Sequence, residues 1–564
     1  MKFLYGFLSI IFILFLTTGC GYIDNEHMVD MFFENGAIYT MDNFGTVAEN
    51  MAIKDGKIVF LGTADDGKKY KDNAKEVVDL DGKMILPGFV DPLIKIMHRC
   101  FADFCIEGVK DIDSFNNVVK NEVENSLAKE LYVGLWIDPS TLFSMNSQMC
   151  LKNMKQILDG ISSESAIVIF SMDGKFAWLN SKAFEYFDIS FQTKVPWGGE
   201  VCLNNKGREC LGMIYANALD LVSVNNTRED KMISGFLDLQ NKLNSFGYTS
   251  IMTLPDRGFS NLSFNLLKKI EDLGNLKIRV RSGNIVKKLD LDIEKLDECS
   301  EKYNSDMFKV DSAKIYINNV FDERGKLPFI GPFIEKSYAD KLSYWESQEE
   351  LNRIYTKINS KKKRIYADYC GLSATRISLN ACEDAKNNLP NEFRNIIYNF
   401  NGLNENDIRL FNEYGIIPVV SIVKNNINIG NLQNINHFLL NEQFRAIVMS
   451  DLNPDFKIAI SLDFPSNLIL NPFEQIQMFV NELPINIKKD SSKMKKLLQN
   501  IIRGFTFNAA YSMNIDDTTG SLELGKCADF IILNQNIFEY DCANIYKTKV
   551  IETYLNGNIV HKLK

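Results

Sequence analysis

The sequence predicts an α/β chain: a (β/α)8 TIM-like barrel beside a β-sandwich to which both ends of the chain contribute. Three observations carry this prediction. Short β-rich runs with tight-turn signals open the chain from about Val29, the same grammar returns near the C-terminus, and between them the rhythm changes to helix, glycine, strand. The 564 residues are 46% hydrophobic and 24% charged, with a formal charge of −9. That balance excludes wholesale disorder, a collagen-like repeat and a polytopic membrane protein, and it fits two or more domains. No basic run extends beyond Lys361-Lys362-Lys363-Arg364. Phosphate neutralisation along a strand needs a larger clustered positive face, so no nucleic-acid partner is expected.

The first element, residues 1–20, reads as an export signal. Met1-Lys2 precedes an apolar stretch from Phe3 to Leu16, broken only by Tyr5, Gly6 and Ser9, and Thr17-Thr18-Gly19-Cys20 follows. An early positive charge, a short apolar centre and small residues before a cut are the features of a secretory signal peptide. The run is shorter than the ~20 residues needed to span a bilayer. Gly19-Cys20 also resembles a bacterial lipoprotein cleavage site, with Cys20 as the lipid-bearing residue, although Thr17 stands where that pattern usually has Leu. An ordinary signal peptide with an incidental Cys gives export without the lipid. The body of the chain is therefore expected outside the cytoplasm, as a membrane-anchored lipoprotein on the periplasmic or cell surface. The remaining cysteines are scattered with no CxxC, which excludes a zinc knuckle and suits buried small hydrophobes.

Residues 21–86 form the first part of the expected sandwich. Asn35-Gly36, Asp55-Gly56 and Asp81-Gly82 each precede a β-rich run, and such pairs tolerate the positive φ of hairpin turns. Residues 87–510 form the expected barrel. Asp230 to Phe246 has apolar residues near helical period and stops at Gly247 before Thr249–Met252; Leu262 to Leu273 stops at Gly274 before Leu276–Val280. Gln348 to Ile358 leads to Ile365–Tyr369, and Asn404 is placed to cap a helix to Tyr414, with Gly415 before Ile416–Val420. Repeated α-then-β units imply parallel strands joined by crossover helices. Residues 108–222 lack this rhythm and read as an irregular insertion. Residues 511–564 complete the sandwich, with Ala528–Leu533 as a strand and Asn556-Gly557 dividing Val550–Leu555 from Ile559-Val560.

With those elements placed, four motifs resemble the amidohydrolase superfamily, in particular its amidohydrolase 3 branch, which contains proteins similar to N-substituted formamide deformylase. They are Asn35-Gly36-Ala37-Ile38-Tyr39-Thr40-Met41-Asp42, Leu86-Pro87-Gly88-Phe89-Val90-Asp91, Ser171–Gly174 with Trp178–Ser181, and Gly520–Asp529. The resemblance implies a metal-binding barrel with a sandwich built from both termini, and hydrolysis of C–N bonds with one or two divalent metals such as Zn. It also implies an imidazole ligand set, since the metal lowers the pKa of its bound water and polarises the substrate carbonyl.

The ligand set that the resemblance implies is absent. His-x-His would follow Asp91, but the two positions carry Leu93 and Lys95. Asp-Gly-His becomes Asp173-Gly174-Lys175, the next histidine positions fall on Met252 and Asp368, and Glu-His falls on Tyr398-Asn399. Lys314 stands at the position of a barrel lysine common in this branch, where it can bridge metals; without other ligands its role here is structural. Asp463, in Ser461-Leu462-Asp463-Phe464-Pro465, is the one catalytic position retained. Only His27, His98, His437 and His561 exist, and none is placed by these motifs at a ligand position. Oxygen-ligated Ca²⁺ or Mg²⁺ on Asp463 and Asp368 is the remaining metal option, and lysines at two former histidine positions oppose it. Either Lys95 and Lys175 pair with Asp463 and Asp368, or they reach solvent. The expected protein has no metal cofactor and a pocket lined by Lys95, Lys175, Asp368, Asn399 and Lys314, with Asp463 beside them. It is expected to be a non-hydrolytic binder of a small molecule or a partner; the alternative is a hydrolase of amide C–N bonds working through a remodelled site.

Overall fold

The computed structural model describes residues 27–95, 102–106, 109, 111–125, 129–136, 154–171, 174, 176–196, 199–222, 224, 229–255, 260–287, 289–317, 345, 347–368, 372–390, 393–398, 405–422, 456–464, 469–483, 485–539 and 541–564. Its centre is an eight-stranded parallel sheet. The strands are β1 (Phe89–Asp91), β2 (Tyr248–Thr253), β3 (Arg279–Ile285), β4 (Phe308–Tyr316), β5 (Arg364–Asp368), β6 (Asn395–Tyr398), β7 (Ile416–Val420) and β8 (Ala459–Ile460), paired in that order. The two edges meet beyond their C-terminal ends. Lys95 N donates to Phe464 O at 2.9 Å and the Ser461 hydroxyl donates to Leu93 O at 2.6 Å, which brings the sheet round into a barrel.

The helix–glycine–strand rhythm is realised in the crossovers. Glu229–Ser245 is followed by Gly247 at φ 92° and then β2, and Glu405–Glu413 by Gly415 at φ 63° and then β7. Gln348–Ser360 is capped by Ser347, whose hydroxyl accepts from Glu350 N, and leads into β5. The run expected at Leu276–Val280 starts later, as β3 at Arg279, because Asn275 and Lys277 are held by Gln240 on the helix Glu229–Ser245 rather than by a neighbouring strand.

The sandwich has a four-stranded sheet made from N-terminal strands and a six-stranded sheet in which Phe530–Leu533 pairs with Met84–Pro87. Phe33, Met51, Ile85, Phe530 and Tyr554 share one buried core between them. Two of the turn signals form true hairpins: Asp55-Gly56 joins Asn50–Lys54 to Lys57–Gly62, and Asn556-Gly557 joins Val550–Leu555 to Asn558–Lys562. The other two do not. Asn35-Gly36 and Asp81-Gly82 carry the chain from one sheet to the other, so the strands flanking each turn lie in different sheets. Asn35 and Asp81 still take positive φ, but the apolar faces on either side pack across the sandwich instead of side by side.

The stretch expected to be irregular holds five of the six strands of a mixed sheet running from Phe104 to Ala216. Its central strand, Ala166–Ser171, is buried throughout, so it shows neither strand alternation nor helical period, and this hid it from a reading based on rhythm. Trp178, stacked on Phe115, anchors the core of that sheet. Cys202 is disulfide-bonded and Cys210 is a free thiol.

Candidate functional site

In a parallel barrel, residues at the C-terminal strand ends converge on one mouth. Here those ends carry Leu93 just beyond β1, Met252 on β2, Asp368 and Tyr398 paired across β5 and β6, and Asp463 just beyond β8. Leu93, Met252 and Tyr398 belong to a single buried apolar cluster with Val90, Tyr366 and Val419, which fills the barrel interior. Two positions where the resemblance implies imidazoles, Leu93 and Met252, thus share one packed cluster with Tyr398, which stands at the Glu of its Glu-His pair. From the other end the cluster is closed by Ala509, Ala510 and Met513 at the helix Phe507–Ser512.

Charged groups are buried around this apolar plug. Lys95 is 4% exposed, and Asp368 and Lys314 are fully buried. Lys314 Nζ donates to Pro255 O at 3.2 Å and lies 4.6 Å from the centroid of the Tyr316 ring, so its charge is held by a carbonyl and an aromatic face. Lys175, Asn399, His98 and His437 lie outside the described residues, as does Cys20. The two described histidines are in the sandwich: His27 stacks edge-on against Tyr70, and His561 lies in the last strand, where burial lowers its pKa.

Asp463 is half-buried and adopts φ 55°, a left-handed conformation that aspartate takes more readily than most non-glycine residues. Its amide donates to the Ser461 hydroxyl at 2.9 Å, and that hydroxyl donates to Leu93 O. The turn presenting Asp463 is therefore tied to the end of β1. Beside it lies Asp91, whose importance the sequence reading missed. Asp91 is fully buried, and its carboxylate accepts from Leu93 N at 2.9 Å and from Leu462 N at 3.1 Å, clasping β1 to β8. Burial pushes its pKa up to about 7, the negative charge of Asp463 adds to the effect, and the two backbone donors oppose it. A carboxylate directly after an apolar Phe-Val pair in a barrel strand was the available signal.

A catalytic transition metal would need several imidazole, thiolate or carboxylate donors converging on one point. The positions in question offer Leu93, Lys95, Met252, Asp368 and Tyr398, that is one carboxylate, two apolar side chains, a phenol and a cation. Among the described residues no group of three or more His, Cys, Asp or Glu is placed to hold a metal ion. This donor set does not fit the metal that the resemblance implies.

The other motif residues have structural roles. Asn180 Oδ1 accepts from Ile167 N at 2.9 Å and from Ala183 N at 2.8 Å, capping one helix and anchoring a strand. In Gly520–Asp529, Leu522 N, Gly525 N and Ala528 N donate to Thr40 O, Ile58 O and Gly56 O, which laces the barrel exit onto the first strands.

The profile of the Amidohydrolase family matches residues 76–561. Among curated proteins, Protein LONG AFTER FAR-RED 3 of Arabidopsis thaliana is 23% identical over 556 residues, covering 94% of this chain and 91% of that one. N-substituted formamide deformylase of Arthrobacter pascens is 22% identical over 255 residues, covering 44% of this chain and 46% of its own. Among solved structures, an uncharacterized metal-dependent hydrolase from Pyrococcus horikoshii superposes with a TM-score of 0.62 at 17% identity, covering 91% of this chain and 99% of that one. At that identity the likeness establishes the barrel fold alone.

Proposed function

From the premise that this chain belongs to the amidohydrolase family, we propose that it is a non-hydrolytic member, an exported lipoprotein held to the membrane through Cys20, whose barrel mouth binds a small ligand or whose surface binds a partner. The observation that carries the reading is the joining of Leu93, Met252 and Tyr398 into one apolar cluster. Losing a single histidine would leave a vacancy that another donor could fill. Placing the former imidazole positions Leu93 and Met252 in one buried apolar cluster with Tyr398 leaves no imidazole at either position to hold a metal-bound water. Without the metal, the family's main means of activating water is lost. The sequence of residues 1–20 supports the export and anchoring part of the reading.

Elemental analysis of the chain from residue 21 onward, purified without chelators or a histidine tag, tests this reading. The expected content is below about a tenth of an equivalent of any transition metal, whereas one or two equivalents of Zn, Mn or Fe would overturn it.

One observation favours a second reading, hydrolysis of amide C–N bonds with Asp463 as base. Asp463 stands half-buried just beyond the end of β8, at the mouth where the working groups of such barrels are placed. If that residue retains chemistry, Asp463→Asn abolishes turnover of an amide substrate library while leaving the melting temperature unchanged; a library with no turnover by the parent protein removes this reading.

A further inference from the structure

The opposite, N-terminal end of the barrel carries a cavity of about 500 Å³ unrelated to the mouth described above. Its wall is made by residues entering three adjacent strands: Lys309 at the start of β4, Lys361 to Arg364 leading into β5, and Arg394 leading into β6. Six cations therefore face one concavity, and Asp311 is the single acid in its lining. Three of the six are neutralised. Arg364 pairs with Asp311 at 2.6 Å, Arg394 with Asp516 at 2.6 Å, and Lys361 with Asp297. Among the described residues, Lys309, Lys362 and Lys363 have no carboxylate at ion-pair distance.

Two features show that this charge is concentrated against local preference. Lys362 sits at φ 56° immediately after a helix end, a position where glycine is the easy residue. Lys363 is partly buried, and that burial together with the charges of Lys309 and Lys361 pulls its pKa below the usual lysine range, despite the opposing Asp311 and Asp297. The geometry of the wall is also fixed. Phe393 is 8% exposed and offers an apolar side, and the Arg394 guanidinium carbon lies over the Tyr511 ring, 3.6 Å from its centroid.

We propose that this cavity binds a compact polyanion carrying two or more phosphoryl groups. Its volume is that of a small-molecule site and is far too confined for a nucleic-acid strand. Three lysines free to act as point charges, with arginines fixed beside them, match several closely spaced phosphoryl oxygens and exceed what a monoanion would neutralise.

Isothermal titration of the chain from residue 21 onward with inorganic pyrophosphate, at low salt and again at high salt, tests the proposal. One saturable site is expected, weakened by added salt and weakened about tenfold or more in Lys309→Gln/Lys363→Gln. Lys362→Gly suits the left-handed backbone while deleting a charge, so it should lower affinity with no loss of melting temperature. The proposal is overturned by absence of saturable binding, by unchanged affinity in both variants, or by citrate binding as tightly as pyrophosphate. Vesicles containing phosphatidylglycerol separate the remaining source of phosphoryl groups: lysine-dependent binding to them without binding of pyrophosphate would also overturn it, making the face a membrane contact.

Discussion

Asp91 shows how one residue can couple barrel closure to pH. Its carboxyl is buried and titrates near 7 in the folded chain, well above the ordinary carboxylate value of 3.8. Between those values the folded state holds a proton that the unfolded chain has released, so stability contributed by Asp91 is complete below about pH 4 and is lost as pH rises through about 7. The span corresponds to about 4 kcal/mol as an order of magnitude. Asp30, Asp42 and Asp79 are held low by hydrogen bonds, and their contribution is lost only on acidification below the ordinary carboxylate range, outside this window. Asp91→Asn should therefore remove the fall of the urea midpoint between about pH 4.5 and 7, leaving the opposite rise contributed by half-buried His561, and an unchanged fall would remove Asp91 as its source. None of this was legible from residue types. The sequence identifies Leu93, Lys95 and Met252 as departures from a metal site, but whether such residues leave a hollow or close it depends on which side chains meet across strands more than a hundred residues apart.

At the scale of elements, several barrel strands and their crossover helices were legible because glycine punctuates them for a mechanical reason. Gly247 and Gly415 take positive φ where a helix must stop and a barrel strand begin. The failures have equally physical causes: Asn35-Gly36 and Asp81-Gly82 specify a turn but not which sheet the next strand joins, and the fully buried strand Ala166–Ser171 has no period to read. Leu86-Pro87-Gly88 marks the passage from sandwich to barrel, where Gly88 N donates to Asp529 O at 3.0 Å. A Cβ on Gly88 would lie 2.3 Å from Thr249 Cγ2 and 2.4 Å from Thr249 Oγ1, on the neighbouring strand β2. Thr249 is fully buried and cannot swing into solvent. Gly88→Ala should cost about 1–3 kcal/mol through forced displacement of β2. Combining it with Thr249→Ala should recover part of that loss, and denaturant unfolding of the single and double variants measures both effects.

For the molecule as a whole, the barrel and the sandwich are joined through a buried ion pair. Arg279, at the N-terminal end of β3, is 1% exposed and pairs with Asp529 on the motif that returns the chain to the sandwich. The guanidinium also donates to Asn556 Oδ1 at 3.0 Å and to Ser250 Oγ at 3.3 Å, and Asp529 Oδ1 accepts from Asn556 N at 2.7 Å. Burial alone would lower the arginine's pKa; the adjoining carboxylate more than reverses this and holds it above its ordinary value. Desolvating two charges is costly, so such a pair contributes little over a well-packed apolar substitute, but removing one partner strands the other and costs about 3–5 kcal/mol. Asp529→Asn should destabilise by roughly that amount, and Arg279→Met with Asp529→Leu should be far less damaging than the sum of the two single changes. Because the contact ties a barrel strand to the C-terminal sandwich hairpin, its loss should also weaken cooperation between the two units. Urea unfolding followed at once by tryptophan fluorescence and far-ultraviolet circular dichroism then yields separated midpoints in Asp529→Asn where the parent gives coincident ones. Coincident midpoints in the variant, with a loss below about 1 kcal/mol, would mean that other contacts between the two units, such as the Thr553 hydroxyl donating to Asn244 O at 2.7 Å, hold them together without help from the ion pair.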